Sequence, residues 1–185
     1  MAASLNLENC MNIPDSFEGY STKMFRIPKH YENYIDKVLM PAGMIQDRIA
    51  KLATDIFNDM MDQDEIHISA VCVLKGGYKF FSELLDSLNT LNTTSGRSVP
   101  ISVDFIKVKS YVDTASTGEV QIVGMANLEE SLKGRNVLIV EDMIDTGRTM
   151  QKLLKTIKGC LGNAILSAFI VLKLAACIIN AKSKK

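Results

Sequence analysis

A chain of 185 residues has the length of one domain and enough sequence to bury a single core. Its 47% hydrophobic and 23% charged residues are ordinary for a globular protein and exclude general disorder. Lys+Arg and Asp+Glu are both 21, which argues against binding nucleic acid through bulk charge and leaves room for local phosphate sites.

The opening MAASLNLENC lacks a basic segment followed by an apolar one, so it does not read as a signal peptide. Pro14, Gly19 and Pro28 break any long pattern over residues 1–30. From Ile45 to Met60, Ile45, Ile49, Leu52, Ala53, Ile56 and Met60 fall at helical spacing. Ile66–Leu74 then predicts a buried strand that ends at Lys75-Gly76-Gly77, and Tyr78–Leu91 returns to helical spacing through Phe80, Phe81, Leu84, Leu85 and Leu88. The polar segment NTTSGRS leads to a second strand over Val99–Lys109. A polar loop, SYVDTASTGE, precedes a return through Val120–Val123.

Asn136–Glu141 (NVLIVE) is the clearest strand, and a helix follows near Met150–Lys158, ended by Gly159 and Gly162. Ile165–Leu172 supplies one more apolar strand. Strands alternating with helices predict an α/β fold with an open, mainly parallel sheet and flanking helices, in a single domain over 1–185. Near the end, AILSAFIVLKLAACIINA carries Lys173 in its middle, and its uncharged stretch is shorter than the roughly 20 residues a spanning helix needs. Cys10, Cys72, Cys160 and Cys177 form no CxxC pair. With only His30 and His67 beside them they read as structural or incidental, in a reducing and most simply cytoplasmic compartment.

The chemistry concentrates in Val137–Thr149, VLIVEDMIDTGRT. Two adjacent acids, Glu141 and Asp142, appear where a buried strand ends, and ligands of open parallel sheets bind at the carboxyl ends of the strands. If the strand persisted, the two acids would face opposite ways. Asp145-Thr146-Gly147-Arg148-Thr149 then makes a short loop at a helix start, where backbone N–H groups and two Thr hydroxyls can cradle an anion and Gly147 allows close backbone approach. A helix cap and a solvated strand end are the ordinary explanation for any one of these residues. The coincidence of paired acids, Asp-Thr-Gly and a terminal Thr in one string argues for a site. No GxxxxGK[ST] is present and no GxGxxG follows a strand.

VLIVEDMIDTGRT resembles the phosphoribosyl-diphosphate (PRPP) signature of type I phosphoribosyltransferases. CVLKGGYKFFSELLDSL, SVDFIKVKSYVDTASTGE and NVLIVEDMIDTGRTM are similar to the hypoxanthine-guanine phosphoribosyltransferase family, over about Pro14 to Lys173. The resemblance implies a type I phosphoribosyltransferase fold and a purine-salvage enzyme that converts PRPP and hypoxanthine or guanine to IMP or GMP. Mg²⁺ would be the cofactor, and the protein would be a cytoplasmic homo-oligomer, dimer or tetramer, with no nucleic-acid or membrane partner.

By the same resemblance Glu141 and Asp142 bind the ribose hydroxyls and touch the metal only indirectly through them. Asp145 is the general base or acid near the purine. Thr146, Gly147, Arg148 and Thr149 hold the 5′-phosphate in a nucleotide-binding loop that includes Met143 and Ile144. The family often has Lys where Arg148 stands. Lys75 and Gly76 contact pyrophosphate, Ser110 and Tyr111 tip a loop that closes over the reacting centre, and Lys173 reads the exocyclic oxygen of a 6-oxopurine. Without the resemblance, Lys75-Gly76 is an ordinary glycine turn and Lys173 a solvated charge. After Lys173, LAACIINAKSKK departs from the family pattern, which continues with Arg-Thr, an aromatic that stacks on the purine and an Asp that helps bind magnesium. The expectation is a chain whose C-terminal part of the family fold is missing and whose purine half retains only Lys173. The alternative reading is a weak or inactive variant that binds ribose phosphates or associates with full-length subunits.

Overall fold

In the computed structural model, which describes residues 13–61, 67–96, 98–110, 120–124, 132, 135–142, 147–161 and 168–171, the chain enters through a minimal ladder: Tyr20–Ser21 (β1) pairs antiparallel with Lys37–Val38 (β2). Phe17 and Phe25 meet Tyr20 edge-on, with ring centroids 5.2 and 6.1 Å away. The described residues before Ile49 form one compact unit, and those from Ile49 onward form another. Helix α1 (Ala42–Met61) runs across this boundary in sequence. It begins directly after Pro41, whose carbonyl accepts from Ile45 N–H at 3.3 Å, three residues ahead of the predicted start. Ile49, Ala53, Ile56 and Phe57 are buried at helical spacing.

The second unit is built on Ile68–Leu74 (β3), which leads through a short turn into Tyr78–Thr94 (α2). Ile68 to Val73 are all buried, the pattern of a strand covered on both faces. Ile101–Ser110 (β4), Val120–Val123 (β5), Asn136–Glu141 (β6), Arg148–Leu161 (α3) and Ala168–Val171 (β7) follow. The sheet order is β5-β4-β3-β6-β7; β4, β3, β6 and β7 run parallel, and β5 is antiparallel to β4. Phe105 and Ile106 are consecutive on β4 and face opposite ways, so their contacts identify the two faces. Phe81 of α2 meets Phe105 edge-on at 5.9 Å. Ile106 joins Val71, Val73, Val137 and Ile139 in a core closed by Met150, Leu153 and Ile157 of α3. Helices therefore cover both faces.

The C-terminal ends of α2 and α3 also differ from the sequence expectation. Helix α2 continues through Thr94 into the polar segment because its hydroxyls fold back: Thr90, Thr93 and Thr94 donate to the carbonyls of Asp86, Asn89 and Thr90 at 2.8–2.9 Å. The Asn92 side chain then pairs with Val99 in both directions, donating at 2.8 Å and accepting at 2.7 Å. Gly159 does not end α3 but lies inside it, where a Cβ would meet nothing within 4 Å. A glycine in a helix costs only about 1 kcal/mol relative to alanine.

Candidate functional site

From β3 the chain passes to β4 on one side, and β6 returns on the other. The strand order thus reverses between β3 and β6, the place where open α/β sheets form their ligand crevice. The parallel register pairs Cys72 with Val140, so the two strands leave the sheet at one level. Beyond β3, Lys75-Gly76-Gly77 makes a turn whose Leu74–Lys75 peptide is cis; Lys75 and Gly76 are exposed and Gly77 is buried. Tyr78 N–H donates to Lys75 C=O at 3.3 Å and Phe81 N–H to Gly77 C=O at 2.9 Å, starting α2.

Beyond β6 stand Glu141 and Asp142, both half-buried. The strand stops at Glu141, so the alternation that would send the acids to opposite faces stops too, and their carboxyls adjoin. Burial, and then the Asp142 carboxyl beside it, push Glu141 up to about 7. Asp142 reaches across to the other loop. A Cβ built on Gly76 would overlap its Oδ2 and lie 2.6 Å from its Cγ. Beneath the acids Cys72 is fully buried, as the sequence suggests, and burial followed by the charges of Glu141 and Asp142 pushes its thiol up to about 11.

Helix α3 begins at Arg148, six residues after Asp142. Gly147 has φ +75, so its glycine is required by backbone conformation as well as by any close ligand approach. Its carbonyl accepts from Gln151 N–H at 2.8 Å, which places Arg148 and half-buried Thr149 in the first helical turn, with the N–H groups suited to an anion. Ser110 is the last residue of β4. Tyr111, Met143, Ile144, Asp145, Thr146 and Lys173 lie outside the described residues. Among the described residues no three His, Cys, Asp or Glu side chains gather to hold a metal, and no helix is long and apolar enough to cross a membrane. The contact of Gly76 with Asp142 had no signal in the sequence beyond the glycine pair itself.

Residues 41–177 match the family model of the phosphoribosyl transferase domain. The chain belongs to that family. Over 146 residues, 79% of its length, it is 50% identical to the hypoxanthine-guanine phosphoribosyltransferase of Mus musculus and 49% identical to that of Homo sapiens. It spans 65% of the length of each of these relatives. The crystal structure of the hypoxanthine-guanine phosphoribosyltransferase from Schistosoma mansoni in complex with IMP superposes with a TM-score of 0.62 at 32% identity, covering 86% of this chain and 69% of that one. The phosphoribosyltransferase chain has the type I fold, a mixed sheet of mainly parallel strands flanked by helices.

Proposed function

We propose that this phosphoribosyltransferase chain moves the 5-phosphoribosyl group from PRPP to hypoxanthine or guanine, giving IMP or GMP and pyrophosphate, in the cytoplasm and as a homo-oligomer. The observation that carries the reading is the meeting of the acids ending β6 with the glycine turn ending β3 at one crevice, with helix α3 beginning six residues after Asp142. An acid pair suits a vicinal diol, and a helix N-terminus suits a phosphate.

In this reading Glu141 and Asp142 hold the 2′ and 3′ hydroxyls. Thr146, Gly147, Arg148 and Thr149, with Met143 and Ile144 in the same loop, hold the 5′-phosphate. Lys75 and Gly76 face the pyrophosphate, and Ser110 and Tyr111 cover the reacting centre. Lys173 donates to the exocyclic oxygen of the purine. As the C1–O bond to pyrophosphate breaks, its electron pair leaves with the pyrophosphate and C1 becomes oxocarbenium-like. A purine nitrogen closes on C1, and Asp145 receives the proton that the purine loses. Glu141 and Asp142 would hold a magnesium ion only indirectly, through the ribose hydroxyls they bind, the ion being carried mainly by substrate oxygens and water. The chemistry such an ion would supply is neutralisation of the charge that builds on the departing pyrophosphate.

The test is formation of IMP from hypoxanthine and PRPP by purified protein. Turnover is expected, and Asp145→Asn should lower it by roughly 10²–10⁴-fold with folding unchanged. Unaltered kcat in Asp145→Asn would remove the residue from its role, and no product from the unsubstituted chain would overturn the reading.

A further inference from the structure

Gly76 cannot be explained by backbone conformation. The described glycines with left-handed φ are Gly19, Gly96, Gly124 and Gly147, and Gly76 is not among them, so its backbone would accept an L side chain. Burial does not explain it either, since Gly76 is exposed. What a side chain would meet is one group 66 positions away in sequence: the Asp142 carboxylate occupies the space of a Cβ at residue 76 and would have to move aside for one. Its neighbour gives the contrast. A Cβ on Gly77 would find its nearest atoms, Asp142 N and Val73 O, at 3.5 and 3.6 Å, which is ordinary contact, and Gly77 has helical φ and ψ of −70 and −9.

Resting on the phosphoribosyl reading above, we infer that Gly76 is a positioning residue for sugar recognition: its missing side chain is the seat that holds the Asp142 carboxylate over the β3 turn. The loop assigned to pyrophosphate and the acids assigned to the ribose hydroxyls are then one mechanical unit. A methyl group at 76 has to displace Asp142, and in doing so it costs contact with the sugar hydroxyls, not only with the pyrophosphate. Removing the carboxylate relieves the conflict, because the next nearest atom, Asp142 Cβ, lies at 3.4 Å.

The experiment compares the affinity of the purified chain for IMP with that for 2′,3′-dideoxy-IMP, and reads the ratio. Hydrogen bonds from sugar hydroxyls to carboxylates should make this ratio about tenfold or more in the unsubstituted chain. Gly76→Ala should lower it as far as Asp142→Ala does, the remainder being Glu141's share, while Gly77→Ala should leave it unchanged. The double variant Gly76→Ala/Asp142→Ala should be no worse than Asp142→Ala alone. A folded Gly76→Ala protein that keeps the full ratio, or losses that simply add in the double variant, would overturn the inference. Thermal unfolding of the unsubstituted chain, Gly76→Ala, Asp142→Ala and the double variant tests the collision without any ligand: the loss of Tm from Gly76→Ala should largely vanish in the Asp142→Ala background, and an equal loss in both would count against the seat. Failure of the unsubstituted chain to bind IMP would instead overturn the phosphoribosyl reading, which the unfolding data do not depend on.

Discussion

At the scale of single residues, the two ends of the central strands carry different chemistry. At the crevice, Glu141 is held up to about 7 by burial and by Asp142. At the opposite end, His67 Nε2 accepts from Arg135 Nη1 at 3.3 Å and lies 3.3 Å from Ser102 Oγ, which in turn is 3.0 Å from Ser69 Oγ. A guanidinium can only donate, so this geometry requires an unprotonated Nε2. Burial first, and Arg135 second, hold His67 below its ordinary value. The unfolded chain takes up the proton near 6.5 and the folded one resists it, so this contribution to stability is full above 6.5 and is lost as pH falls below it. Glu141 has the opposite sign: its folded pKa is raised from 4.5 to about 7, so the stability it contributes is lost as pH rises through that window. Urea unfolding at pH 7.5 and 5.5 separates the two. His67→Gln keeps an acceptor for Arg135 and should lose less stability on acidification than the unsubstituted chain. Equal losses in both proteins would show that His67 does not titrate with folding.

At the scale of elements, Met150, Leu153, Leu154 and Ile157 of α3 fall at i, i+3, i+4 and i+7. Leu153 is fully buried against the β3 and β6 face, and Leu154 is only partly buried at its rim. Leu153→Ala should cost about 2–5 kcal/mol in chemical denaturation, and Leu154→Ala clearly less; equal costs would mean that α3 presents another face. Local patterns were legible where they were self-contained. NVLIVE marks β6 from Asn136 to Glu141, and the apolar spacing after Gly77 marks α2 from Tyr78. Ends set by side-chain hydrogen bonds were not, since nothing periodic announces that Asn92 will clasp Val99 or that Thr93 and Thr94 will prolong a helix. Gly159 misled for a related reason, because a glycine facing open space is tolerated inside a helix.

At the scale of the whole molecule, the alternation of strand and helix patterns predicts an α/β sheet, but strand order is a property of long-range pairing and cannot be read from local patterns. That β3 lies between β4 and β6, and that β5 turns back antiparallel on β4, is what makes the ends of β3 and β6 a crevice. The acid pair was legible from its string, while its seat on Gly76 appears only once β3 and β6 are neighbours. The central claim is that this crevice binds the phosphoribosyl group, and calorimetric titration of the purified chain with IMP tests it most directly. One site per chain is expected, with affinity lowered about tenfold or more by Asp142→Ala. Binding that Asp142→Ala leaves untouched, or no binding at all, would contradict the account.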